Sequence, residues 1–163
     1  MSLYICFDLV EHVIGRDGPS VRAEDIERIQ RWVAEPDGQR CVTHAILIHK
    51  RLEVLQTKAE PAIHVPKALF SAGLIIYLYA KFRPPEASHG EIDVPELRLS
   101  EPDHVSAQNT GEPAIFNLAQ FDLTALFSVA DLLRRLGHWG VSRKFSSILE
   151  PLLLVVVNIK FIL

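Results

Sequence analysis

Cys41 and His44 stand three residues apart, and His49 follows five residues later. Cysteine and histidine at this spacing could place two zinc-type ligands on one face of a helix, but His49 would point elsewhere. A zinc site takes four ligands, usually from paired short spacings, and no fourth accompanies these three. The pattern reads better as a core cysteine beside a half-buried histidine. His64 lies between Ile63 and Val65 just before Pro66, where an imidazole can donate or accept at a helix start. As a lone histidine near an apolar face it reads as structural. His138, beside Trp139 in a turn, is expected to pack.

Nucleophilic catalysis needs a nucleophile, a base and an orienting acid. The serines include none in a Gly-x-Ser-x-Gly elbow, and no glycine-rich phosphate loop is present. Lys50-Arg51, Arg134-Arg135 and Arg143-Lys144 could touch phosphate. They read more simply as solvated helix faces. No residue is assigned a catalytic, cofactor-binding or metal-binding role, and the chain is expected not to be an enzyme.

With 163 residues the chain suffices for one domain. Hydrophobic residues make up 48% and charged residues 23%, as in globular proteins. The net charge of −3 and pI near 6.1 argue against direct nucleic-acid contact, which favours a basic face. The mean hydropathy of +0.17 is slightly apolar and hints at surface that something else covers. Two distant cysteines, Cys6 and Cys41, fit a reducing, intracellular compartment. Met1–Phe7 lacks the basic start of a secretory leader. The apolar run Ala68 to Ala80, bracketed by Lys67 and Lys81, falls short of the roughly 20 residues needed to span a bilayer. It is expected to be a core helix, with no membrane partner.

The elements follow from periodicity and punctuation. Leu3 to Ile14 could form a short helix, ended by Gly15-Arg16-Asp17-Gly18-Pro19. Ser20 is a candidate cap for a second helix, with Glu24, Asp25 and Glu27 in its first turns, where negative charge suits the helix dipole, Ile26, Ile29 and Val33 on its apolar face and a stop before Pro36. Asp37 can cap a third, whose stripe is Cys41, Ala45, Ile48, Leu52 and Leu55, with His49 mostly off it. Lys58-Ala59-Glu60-Pro61 closes that helix. Pro66 suits the start of a fourth, Lys67 to Phe82, apolar nearly all round. A buried strand within Leu74–Leu78 is the competing reading.

Composition changes from Arg83 to Gln120. Five prolines and seven acidic residues stand against Arg83 and Arg98, a net charge of about −5 with few large apolar residues. The stretch reads as a loop or linker, mobile and dispensable for the helical core. Deleting Pro85 to Gly111 is expected to leave helical circular dichroism largely intact.

A fifth helix begins after Asp122, with Leu123, Leu126, Phe127, Ala130, Leu133 and Leu136 on one face and Gly137 as its C′ residue. Ser142 caps a sixth, with Phe145, Ile148 and Leu149 inward, which Pro151 should kink or end. The remainder, Leu152 to Leu163, is β-branched, nearly uncharged and without a helical stripe. Leu69, Ile76, Leu126, Phe127, Leu133 and Ile148 are expected to form a shared core.

Two stretches carry a family resemblance. One is Arg40-Cys41-Val42-Thr43-His44-Ala45-Ile46-Leu47-Ile48 after Trp32, with Glu60-Pro61-Ala62-Ile63-His64-Val65-Pro66-Lys67-Ala68-Leu69-Phe70-Ser71-Ala72-Gly73-Leu74. The other is Phe121-Asp122-Leu123-Thr124-Ala125-Leu126-Phe127 through Leu132-Leu133-Arg134-Arg135-Leu136-Gly137-His138-Trp139-Gly140-Val141-Ser142. Both resemble the C-terminal part of the fungal-specific transcription factor domain, an all-helical regulatory region. In that family it follows a zinc-dependent DNA-binding module, of C2H2 fingers or a six-cysteine cluster. With two cysteines this chain has neither, so zinc belongs only to a module absent here, and no cofactor is expected. The stretch after Pro151 departs from the family and reads as a truncated or mis-spliced end.

The expected fold is all-α, an incomplete orthogonal helical array with a long Pro-rich acidic loop. Residues 1–82 and 121–151 form the two helical parts of one domain, 83–120 the loop, and 152–163 an atypical apolar tail. The resemblance implies a nuclear fragment of a transcription-factor regulatory domain. It would act through protein partners, other domains of a parent regulator, or a small effector. Self-association through exposed apolar surface is expected, and specific duplex binding is not. A helical scaffold or adaptor unrelated to transcription is the alternative, and a helical enzyme fragment a third.

Overall fold

A computed structural model describes residues 7–15, 21–54, 62, 64–83, 91–92, 116–117, 124–137 and 140–162. Its helices are α1 (Phe7–Val13), α2 (Ala23–Ala34), α3 (Pro36–Val54), α4 (Val65–Phe82), α5 (Thr124–Arg135) and α6 (Gly140–Ile162). Two short strands, β1 (Glu91–Ile92) and β2 (Phe116–Asn117), lie between α4 and α5. They pair antiparallel, Glu91 opposite Asn117 and Ile92 opposite Phe116. The fold is all-α, and this two-residue ladder is an addition to the loop read from composition. The rest of that stretch, 84–90, 93–115 and 118–120, lies outside the described residues, as do the proposed cap Ser20, Leu55, the closing residues 58–61, Asp122, Leu123 and His138-Trp139.

The helix ends show why the chain turns where it does. Gly15 adopts φ 98°, a left-handed conformation open to glycine at little cost, and its N–H donates to the His12 carbonyl at 3.0 Å. Arg22, not a capping hydroxyl, precedes α2, and its Nε donates to Asp25 Oδ2 at 3.0 Å. Pro36 opens α3, where a missing N–H costs nothing. Asp37 therefore lies inside the first turn and is not the cap. The corner between α2 and α3 depends on Gly38, since a Cβ there would sit 2.0 Å from the Trp32 carbonyl oxygen. Gly137 does follow α5, but without positive φ. Its N–H reaches the Arg134 carbonyl at 3.0 Å, and a Cβ would crowd that same oxygen at 2.7 Å.

The all-round apolar α4 is the central element. It packs against α2, α3, α5 and α6, and every residue from Ala72 to Tyr79 is buried. Leu74–Leu78 is helix, not strand. Ile29 and Val33 of α2, Cys41, Val42, Ala45 and Ile46 of α3, and Leu126, Val129, Ala130, Leu132 and Leu133 of α5 close around it. Gly73 marks a close approach. A Cβ there would meet Leu149 Cδ1 at 2.8 Å and Val129 Cγ1 at 2.9 Å, so α5 and α6 both come close to the α4 backbone.

Four of the six expected core residues, Leu69, Ile76, Leu126 and Leu133, are fully buried. Phe127 and Ile148 are not: they are 48% and 37% exposed. Phe127 follows Leu126, and α5 turns its neighbours Leu126, Val129 and Ala130 inward, which carries Phe127 out to solvent. On α6 the inward positions are Ser142, Ser146, Leu149, Leu153 and Val156, one residue out of step with Ile148.

The same helix corrects three more expectations. Ser142 lies inside α6, buried, with no hydrogen-bond partner for its hydroxyl, and does not cap. Pro151 neither ends nor divides α6 as assigned; the helix continues to Ile162, and Pro151 is on its exposed side. Residues 152–162 are helical, and their buried positions Leu153 and Val156 extend the stripe from Leu149. Burial against α4 and α5 overrides the β preference of the valines, since propensity is a weak prior where tertiary packing is available.

Candidate functional site

The residues able to do chemistry are dispersed. On α3, Cys41 is fully buried, and burial pushes its thiol up to about 11, so it stays protonated at neutral pH. A protonated thiol is neither an effective nucleophile nor a zinc ligand. His44 is half-buried one turn on. His49 is buried at 5% exposure, contrary to its expected place off the apolar stripe, and neither ring nitrogen makes a hydrogen bond. The Glu53 carboxylate lies 4.0 Å from its Nε2, beyond hydrogen-bond reach, and Glu53 Oε1 accepts from Ser128 Oγ at 3.2 Å. Burial lowers the His49 pKa despite the opposing pull of Glu53, so the ring is neutral in the fold. Among the described residues, no three His, Cys, Asp or Glu side chains come together as a metal site.

Asp25 is the buried carboxylate that the sequence reading placed only in the first turn of α2. It is 4% exposed, and Arg22 Nε at 3.0 Å, His12 Nε2 at 3.4 Å and Arg28 at 3.9 Å surround it. The cluster ties α1 to α2. His64 precedes α4 without a side-chain cap bond and is exposed. The three basic doublets are exposed. Arg134 is engaged by Asp131 at 3.9 Å and Glu150 at 3.6 Å.

What the described residues do gather is an apolar face. Val141, Ile148 and Val155 of α6 are 43%, 37% and 40% exposed. Phe145 and Leu152, half-buried against the core, fall between them. The five positions are spaced four, three, four and three, which aligns them along one line of a helix. At 3.6 residues per turn this line lies about 100° around the helix from the buried stripe of Ser142, Ser146, Leu149, Leu153 and Val156.

Two contacts fix which side it occupies. Ser146 Oγ donates to the Ala130 carbonyl at 3.2 Å, so α5 lies on one flank of α6. The Phe145 ring stacks on Phe70 of α4, 4.2 Å between centroids and 6° between planes, so α4 lies on the other. The apolar line is on the α4 flank, walled by Phe145 and Phe70. Leu154, at 65% the most exposed large apolar residue among the described residues, lies on the opposite flank and is not part of it.

Periodicity could have found this face, because the four-three spacing is present in the sequence. It was obscured by the buried stripe one residue away and by the reading of Pro151 as a kink or end of the helix. One described helix, α4, is long and apolar enough to cross a membrane, and 56% of it is buried among the other helices, as in a core helix. In comparisons with family models, curated proteins and solved structures, the chain matches none.

Proposed function

We propose that this chain is a non-catalytic helical regulatory module that acts in transcriptional regulation by binding protein, without a DNA-binding module of its own. The observation that carries the reading is the line Val141–Ile148–Val155, apolar and outward-facing on a helix whose other face is already anchored in the core. Aligned exposed apolar side chains on a stable helix suit docking to another protein. The part of the reading that concerns transcription, and with it residence in the nucleus, rests on the resemblance of Arg40–Ile48, Glu60–Leu74 and Phe121–Ser142 to the fungal-specific transcription factor domain. Its partners are other proteins or the remaining domains of a parent regulator.

The test is a tethering assay. The chain, fused to an unrelated DNA-binding module, should change transcription of a reporter carrying that module's site. Ile148→Glu should abolish the change, and Leu154→Glu, off the line, should not. A reporter unmoved by the wild-type fusion at confirmed expression counts against the transcriptional role. Equal activity of wild type and Ile148→Glu counts against this face.

A further inference from the structure

His49 and Glu53 stand four residues apart on α3, a spacing that puts both on one side of the helix. They differ in depth: the imidazole is buried, whereas the carboxylate is exposed at the edge of the contact with α5. The two carboxylate oxygens meet different groups. Oε1 accepts from Ser128 Oγ of α5 at 3.2 Å, long for an O–H···O bond, whose usual length is about 2.7–2.8 Å. Oε2 lies 4.0 Å from His49 Nε2, so a move of about 1 Å would bring it into a charge-assisted hydrogen bond.

Whether that move occurs depends on the proton. The neutral ring lies buried with both nitrogens unpartnered and holds Glu53 only weakly. An imidazolium in the same place is a buried cation, far costlier to leave unpaired. Among the described residues, the charges that act on the ring are Glu53, which favours the proton, and Lys50, which opposes it. Both belong to α3, and no charge of α2, α4 or α5, the helices packed against α3, adds to them. We infer that Glu53 serves one partner at a time, so that protonation of His49 draws its carboxylate from Ser128 to the imidazolium and acid releases this tie between α3 and α5. Because burial holds the His49 pKa below its ordinary 6.5, the exchange takes place on the acid side of that value.

Proton NMR titration of the His49 ring in the full chain tests this, with the resonances assigned by their loss in His49→Leu. Ser128→Ala frees the carboxylate and should raise the His49 midpoint, by up to about 0.7 pH unit on the scale of an exposed charge contact. Ser128→Thr, which keeps the hydroxyl, should titrate as the wild type does. Glu53→Gln should lower the midpoint, and in that background Ser128→Ala should have no further effect. The Ser128 side-chain resonances should follow the His49 midpoint in the wild type and not in Glu53→Gln. A midpoint that Ser128→Ala leaves unmoved or lowers, with helical circular dichroism unchanged, overturns the proposal. So does an equal shift in the Glu53→Gln background, or a ring that stays neutral until acid unfolds the chain.

Discussion

Gly73 of α4 and Leu149 of α6 touch so closely that a Cβ on the glycine would stand 2.8 Å from a Leu149 methyl. Val129 of α5 would stand 2.9 Å from the same Cβ. Exchange of size at this point should therefore be coupled. Gly73→Val inserts a branched side chain where two helices already press and should cost about 3 kcal/mol, the upper end of overpacking penalties. Leu149→Ala alone should cost about 2–5 kcal/mol. Combined, they should destabilise by less than the two costs added. Urea unfolding of the four proteins measures the coupling, and strict additivity would show that the helices do not meet there.

Pro151 gives a second test. A proline in a helix interior removes one hydrogen bond and crowds the preceding turn, costing about 3 kcal/mol. Because Pro151 is exposed within α6, Pro151→Ala creates no cavity and should stabilise the chain by up to about 3 kcal/mol. Thermal or urea unfolding reads this directly. A loss of stability would mean that the proline shapes α6 rather than merely interrupting its hydrogen bonding.

The third expectation concerns pH. Burial lowers the His49 pKa below its ordinary 6.5, so the folded chain binds that proton more weakly than the unfolded chain does. In the window below 6.5 the unfolded state then holds more protons, and stability must fall as pH falls through it. One group can contribute at most about 1.4 kcal/mol per pH unit. His49→Leu should flatten the dependence between pH 7 and the lower edge of that window. Unfolding free energies across the range should show the wild-type slope reduced in the variant, and an identical slope would assign it to other groups.

Much of this architecture was legible in the chain. Ile29 and Val33 repeat at helical spacing and are buried; the run from Ala72 to Tyr79 has no polar face, and it became the centre of the core. Gly15 ended α1 because glycine tolerates the left-handed turn. The failures share a physical cause. Periodicity states that a helix has an apolar face but not which of two adjacent apolar faces meets the core, and so Ile148 and Phe127 were placed inward. His49 is the converse case, a polar ring that α3 carries into the interior without a hydrogen-bond partner. Asp25 was legible only as a first-turn acid, because His12, its partner from α1, is distant in sequence. Pro151 read as a kink or a stop since local propensity alone opposes it; it is not a stop, because packing of Leu149, Leu153 and Val156 holds the helix through it.

Binding of a hydrophobic dye to the folded chain, with light scattering on the same samples, tests most directly whether α6 presents an apolar contact face. The wild type should bind dye at low concentration and grow in mass as concentration rises. Ile148→Glu, with its helical content unchanged, should lose most of the dye signal and all of the growth in mass. A wild-type chain that remains a clean monomer and binds no dye would contradict the account and mark the chain as a complete small domain with no such face.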